Sequence, residues 1–158
     1  MTVPPEYLRA SKDFEALLVD VRDTCMLSSV NQAYHTLRAV LHVFRDHVSV
    51  ADALTFAGVL PAVPRAIFVE GWRPSGTPAP FPSCAALTRE VKAIRPDHNL
   101  APPSAISDVS AALRRAVEPQ AFERVLSSLP PAARAFWAVE EGTARGTGGQ
   151  IYIEGAQE

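Results

Sequence analysis

The chain has 158 residues, 47% of them apolar and 20% charged, enough for one core that hides roughly two-thirds of the unfolded surface. That apolar content offsets the entropy of ordering and excludes wholesale disorder, and no run approaches the roughly 18 uninterrupted apolar residues of a membrane-spanning helix. With 15 Lys and Arg against 17 Asp and Glu, a formal net charge of -2, the chain lacks the basic excess that draws proteins to nucleic acid or anionic lipid, so both are disfavoured as partners.

The opening, MTVPPEYLRASKDF, carries two early prolines and scattered charges where a signal peptide needs an apolar run. A soluble, cytoplasmic protein is therefore expected. Ser11 is the expected N-cap of a helix over 11–24, with Phe14, Leu17, Leu18 and Val21 on one face. From Val30 the apolar positions Ala33, Tyr34, Leu37, Val40, Leu41, Phe44 and Val48 fall in steps of three, one and four, which form a stripe on a helix and cannot alternate on a strand. A shorter helix follows over 50–59, and Pro61 opens the next, because proline's missing amide is harmless in a first turn. Pro64 is close enough to that start to be tolerated.

Residues 70–82, EGWRPSGTPAPFP, hold four prolines after Arg73 and two glycines and read as a connector. Helices are then expected over 84–94, 104–116, 119–128 with Pro119 in its first turn, and 130–139 led by Pro130 and Pro131; a proline-containing stretch from Arg95 to Pro103 joins the first two. Beyond Glu140 the sequence is flexible by composition and ends in a short alternating segment, QIYIEGAQE, read as an untethered terminus or a lone strand. Eight helices without a core strand make the chain all-α. Cys25 and Cys84 stand far apart with no partner at metal or redox spacing and read as two buried, reduced thiols.

An internal duplication is the strongest signal. Sliding the chain by 69 residues lays Leu37, Val40, Phe44 and Val48 on Ile106, Val109, Leu113 and Val117, and lays Phe56, Leu60, Pro61 and Arg65 on Val125, Leu129, Pro130 and Arg134. The pair Ile67 and Phe68 falls on Phe136 and Trp137. Upstream a shift of 70 matches Leu17 and Val21 with Leu87 and Val91. The expectation is two tandem, pseudo-symmetric four-helix units packed as one helical bundle, with a first repeat over 1–69, the connector over 70–82, a second repeat over 83–139 and a tail over 140–158.

The run LRAVLHVFRDHVSVADALTFAGVLPAVPRAIFVEGWRPSG, Leu37 to Gly76, resembles the bacterial domain of unknown function family 2267. Its members read as duplicated helical units with a long Leu-Arg-Ala-Val-Leu helix, a Leu-Pro segment and a Tyr/Phe-x-Glu-Gly-Trp turn. The second half fits less closely, through Leu129-Pro130 and Phe136-Trp137. The resemblance implies a small soluble α-helical bacterial protein and brings no reaction or ligand with it. An Arg-rich composition, with 13 Arg against Lys12 and Lys92, fits a GC-rich bacterial genome.

His35, Arg38, His42 and Arg45 form one stripe on the long helix. A solvated face is the plain reading, and binding of an anion or a partner the functional one. His42 and Asp46, with His47 nearby, have helix spacing for a metal, yet nothing completes a ligand set. Arg65 and Arg134, like Arg45 and Arg114, occupy matching places and are expected to be structural, satisfying free helix-end carbonyls or a carboxylate where helices meet, as are Pro61 and Pro130 of the repeated Leu-Pro segment. Trp72, in the turn with Glu70 and Arg73, either plugs the end of the bundle or meets a partner. No nucleophile, base and oxyanion donor occur together, and no phosphate loop or calcium loop is present in the sequence.

The function expected is a non-enzymatic interaction module without a cofactor or metal. Its contact surface would be the connector, the groove between halves or the tail, and its partner a protein of unknown identity, a second copy of the chain included. The alternative is a binder of a small ligand or anion, or an enzyme, in the cleft between repeats, with His42, Arg45 and Glu70 converging there.

Overall fold

Nine helices and no strand are found among the described residues, 1–95 and 101–139 of the computed structural model. In chain order they are α1 (Pro5–Leu8), α2 (Ala10–Thr24), α3 (Val30–Asp46), α4 (Val50–Ala57), α5 (Ala62–Val69), α6 (Cys84–Ala93), α7 (Ala105–Ala116), α8 (Pro119–Ser128) and α9 (Pro131–Phe136). The all-α expectation holds, with one helix more than the apolar pattern shows. That extra turn, α1, starts at Pro5 and buries none of its residues, so no hydrophobic period marks it.

The helix starts are written in side-chain oxygens. Ser29 accepts from the Gln32 amide, and Gln32 Oε1 accepts in return from the Ser28 amide at 3.0 Å, a capping-box arrangement displaced by one residue. Ser49 caps α4 through the Asp52 amide, Ser83 caps α6 through the Ala86 amide, and the Glu118 carboxylate takes the Gln120 and Ala121 amides of α8. Ser11 does not cap α2: the helix begins at Ala10, its N-cap residue is Arg9, and no side chain caps it. The α1 turn runs into it instead, the Asp13 amide donating to the Arg9 carbonyl. Pro61 is the N-cap residue of α5 rather than its first turn, and Pro130 holds the same place before α9.

α3 is the central element, and all but one of its residues from Thr36 to Arg45 are buried. It packs against α2, α5, α6 and α7, while α2 packs in turn against α7. Phe44 and Phe56 meet with ring centroids 4.7 Å apart, and Trp137 stacks on Phe56 at 5.0 Å and lies edge-on to Phe44 at 5.2 Å. Phe68, Phe81, Phe122 and Phe136 belong to the same cluster. Early and late helices thus bury their aromatics in one core. Asp20 and Arg115 form a two-pronged ion pair, both contacts 2.8 Å, that ties α2 to α7 at the surface.

Residues 70–83 carry no helix. The connector leaves α5 through Gly71 at φ +65, a left-handed position after a helix end that suits glycine. The alternating end segment, the rest of the tail and the middle of the stretch from Arg95 to Pro103 lie outside the described residues. No helix of the described chain is long and apolar enough to cross a membrane.

Candidate functional site

The stripe on α3 is not a solvated face. His42 is 6% exposed and donates from Nε2 to the Ile67 carbonyl at 2.8 Å, which leaves Nδ1 without a proton in the neutral ring. Burial pushes its pKa below the ordinary value, and the Arg45 and Arg38 cations push the same way against the Ile67 bond. Arg45, 8% exposed, donates from Nη1 to the carbonyls of Phe68 and Glu70, each at 3.0 Å. Both carbonyls belong to the unpaired end of α5, so the guanidinium does what the next helical turn would have done.

The two other stripe residues are half-buried and engaged as well. Arg38 Nε stands 3.8 Å from the Glu70 carboxylate, and the His35 ring lies against the guanidinium of Arg95, at the end of α6. The four side chains therefore tie α3 to the end of α5 and to α6. Of the four, only Arg45 lines the polar cleft beneath the connector.

Trp72 is half-buried against the core, its backbone amide donating to the Val69 carbonyl at 3.2 Å. Its ring lies 5.8 Å from the Arg45 guanidinium carbon. Glu70 and Arg73 are exposed. Beneath the connector is a polar cleft of about 340 Å³ lined by Asp46, Ser49, Trp72, Arg73 and Thr77 among others, with Arg45 at its wall. His35, Arg38, His42 and Glu70 do not line it. Among the described residues no three His, Cys, Asp or Glu side chains gather where they could hold a metal.

The matching arginines make matching bonds. Arg65 donates to the Ala57 carbonyl at 3.1 Å and to that of Leu60 at 2.8 Å; Arg134 reaches the carbonyls of Leu126 and Leu129 at 3.3 and 3.5 Å. Each guanidinium closes the Leu-Pro turn before its own helix, at Pro61 and at Pro130. Arg114 donates to the Trp137 carbonyl at 2.8 Å, and Ser110 Oγ donates to the same oxygen at 2.6 Å.

Sequence reasoning missed a second cleft, also of about 340 Å³ and mostly apolar, between α6, α7 and α9. Phe81 of the connector, Leu87, Ile106, Ala135 and Val139 line it, together with Cys84 and Thr88. Cys84 is thus exposed, contrary to the expectation of two buried thiols, while Cys25 is buried as expected. The signal was present in the shift of 70 residues. It sets Phe14 and Leu18 of α2 on Cys84 and Thr88 of α6, replacing two bulky apolar side chains by two small ones. α2 packs against α5, with Leu18 buried and Phe14 against the core. No comparable packing joins α6 to α9, and the groove lies between them.

Geometry and sequence define the class first: an all-helical bundle in which the buried side chains of His42, Arg45 and Ser110 bond to carbonyls at helix ends. The family follows. The model of the uncharacterized conserved protein family DUF2267 matches residues 14–136, and the chain belongs to that family. None of the curated proteins matches it.

Proposed function

We propose that this protein is a non-enzymatic protein–protein interaction module built from two copies of one helical unit, and that it acts through the groove between α6, α7 and α9. The observation that carries this reading is the loss of bulk at Cys84 and Thr88, where α2 has Phe14 and Leu18. In the first unit α2 packs against α5 with Leu18 buried and Phe14 against the core; in the second, among the described residues, the place between α6 and α9 is open. The occupant that fits is a helix of a partner protein with bulky apolar side chains four residues apart, the spacing of Phe14 and Leu18. The groove wall offers aliphatic and aromatic surface with few polar groups to orient a small substrate.

The alternative of a small ligand or anion held by His42, Arg45 and Glu70 loses support, because two of those side chains are committed to backbone carbonyls and the third faces water. A native pull-down of wild type beside the double variant Cys84→Phe, Thr88→Leu, read by mass spectrometry for proteins and small molecules, tests the proposal. A stoichiometric protein lost with the filled groove supports it. A bound small molecule without a protein, or a protein retained by the filled variant, overturns it.

A further inference from the structure

His47, the residue after α3, joins three segments with one ring. Its Nδ1 is 3.0 Å from the Ala79 carbonyl in the connector, its Nε2 is 2.8 Å from a carboxylate oxygen of Glu90 on α6, and its face lies on Phe81 with centroids 5.2 Å apart. Only 7% of the side chain is exposed. Both neighbours are pure acceptors, so both bonds can form only when both ring nitrogens carry protons. A neutral ring must give one of them up.

We infer that His47 is a pH-sensitive latch: its protonated ring pins the end of the connector to α6, and loss of a ring proton releases Ala79 and Phe81. Phe81 is also a wall of the apolar groove, where it lies near Phe136 with centroids 6.0 Å apart, so release loosens one side of that groove. The consequence for binding rests on the interaction reading above; the latch itself does not.

The charges around the ring are few. From α6 it faces Glu90; on α3 the flanking Asp46 carboxylate is turned to Arg45, 3.6 Å from its Nε; the connector presents the carbonyls of Ala79 and Pro80 and the Phe81 ring. Burial alone would favour the neutral ring, yet the Glu90 carboxylate and those two carbonyls together outweigh it and raise the pKa above the ordinary value.

Nuclear magnetic resonance on the labelled full chain tests the latch without any partner, so its outcome is separate from that of the groove. As the His47 ring loses its proton, the backbone order parameters of Ala79 and Phe81 should fall from about 0.85 toward 0.6, and the contacts between the His47 and Phe81 ring protons should fade. Glu90→Gln should lower the ring's titration midpoint, and His47→Gln should make the connector insensitive to pH. The inference is overturned if connector order stays constant through the ring's titration in the wild type, if the pH response survives His47→Gln, or if Glu90→Gln leaves the midpoint in place.

Discussion

Arg45 and Arg114, 69 residues apart in the chain, hold carbonyls that are themselves 69 residues apart, those of Phe68 and Trp137. The two contacts differ in their surroundings. Arg45 is 10% exposed at its side chain and also holds the Glu70 carbonyl, whereas Arg114 is 29% exposed and reaches outward to Glu123.

Arg45→Ala should therefore destabilise the fold by about 2–3 kcal/mol, since charge-assisted bonds to two helix-end carbonyls are lost together. Arg114→Ala should cost less, about 1 kcal/mol, because water replaces part of what is removed. Arg45→Lys should not restore the loss, as an ammonium lacks the fork that spans two carbonyls. Urea denaturation of the three variants, compared at unchanged slope, gives the ranking.

The two thiols should separate chemically. Cys25 is buried, and burial, with the Asp108 carboxylate beside it, pushes its pKa up to about 12. Cys84 opens onto the groove. Native protein treated with iodoacetamide near neutral pH should take up one equivalent at Cys84 and none at Cys25, with both labelled only after unfolding. Labelling of Cys25 at the rate of Cys84 would mean that the α2 end of the core opens far more often than its packing implies.

Two histidines should shape the dependence of stability on pH in opposite senses. His42 is depressed in the fold, so its contribution is present above the ordinary value of about 6.5 and is lost as pH falls through the folded value. His47 is raised, so its contribution is complete below about 6.5 and is lost as pH climbs through the folded value. Denaturation midpoints measured from acid to mildly alkaline pH should fall on both sides of the ordinary histidine value. His42→Gln should flatten the acid limb and His47→Gln the alkaline one.

The backbone plan was legible through the apolar periods of α2, α3 and α8, whereas α1, α2, α5, α7 and α9 have no side-chain cap to mark their starts. The α8 bounds were read as they stand, since Pro119 opens the helix and Leu129-Pro130 closes it. The last helix ends at Phe136 rather than at 139: Trp137 leaves the helix and turns its ring into the aromatic cluster, a tertiary demand that period alone does not reveal. The polar stripe on α3 was legible as a stripe but not as an inward one. His35, Arg38, His42 and Arg45 look like a charged face until the end of α5 is placed against them, because carbonyls that need donors carry no mark in the sequence. Arg65 and Arg134 were legible as a structural pair but not by partner: carbonyls or a carboxylate were both open, and the structure sets each guanidinium on the turn whose proline lies four residues before it. The groove escaped notice because it depends on what Cys84 and Thr88 lack relative to another helix.

That missing bulk is also the point of most direct attack. A dye-labelled peptide with the sequence of α2, Ala10–Thr24, carries Phe14 and Leu18 at the spacing the groove should accept. Fluorescence anisotropy should show saturable binding of this peptide to the wild-type chain, loss of binding when the peptide carries alanine at both positions, and loss of binding to the Cys84→Phe, Thr88→Leu protein, whose circular dichroism should remain that of the wild type. No binding to the wild-type chain, or equal binding to the filled variant, would contradict the account.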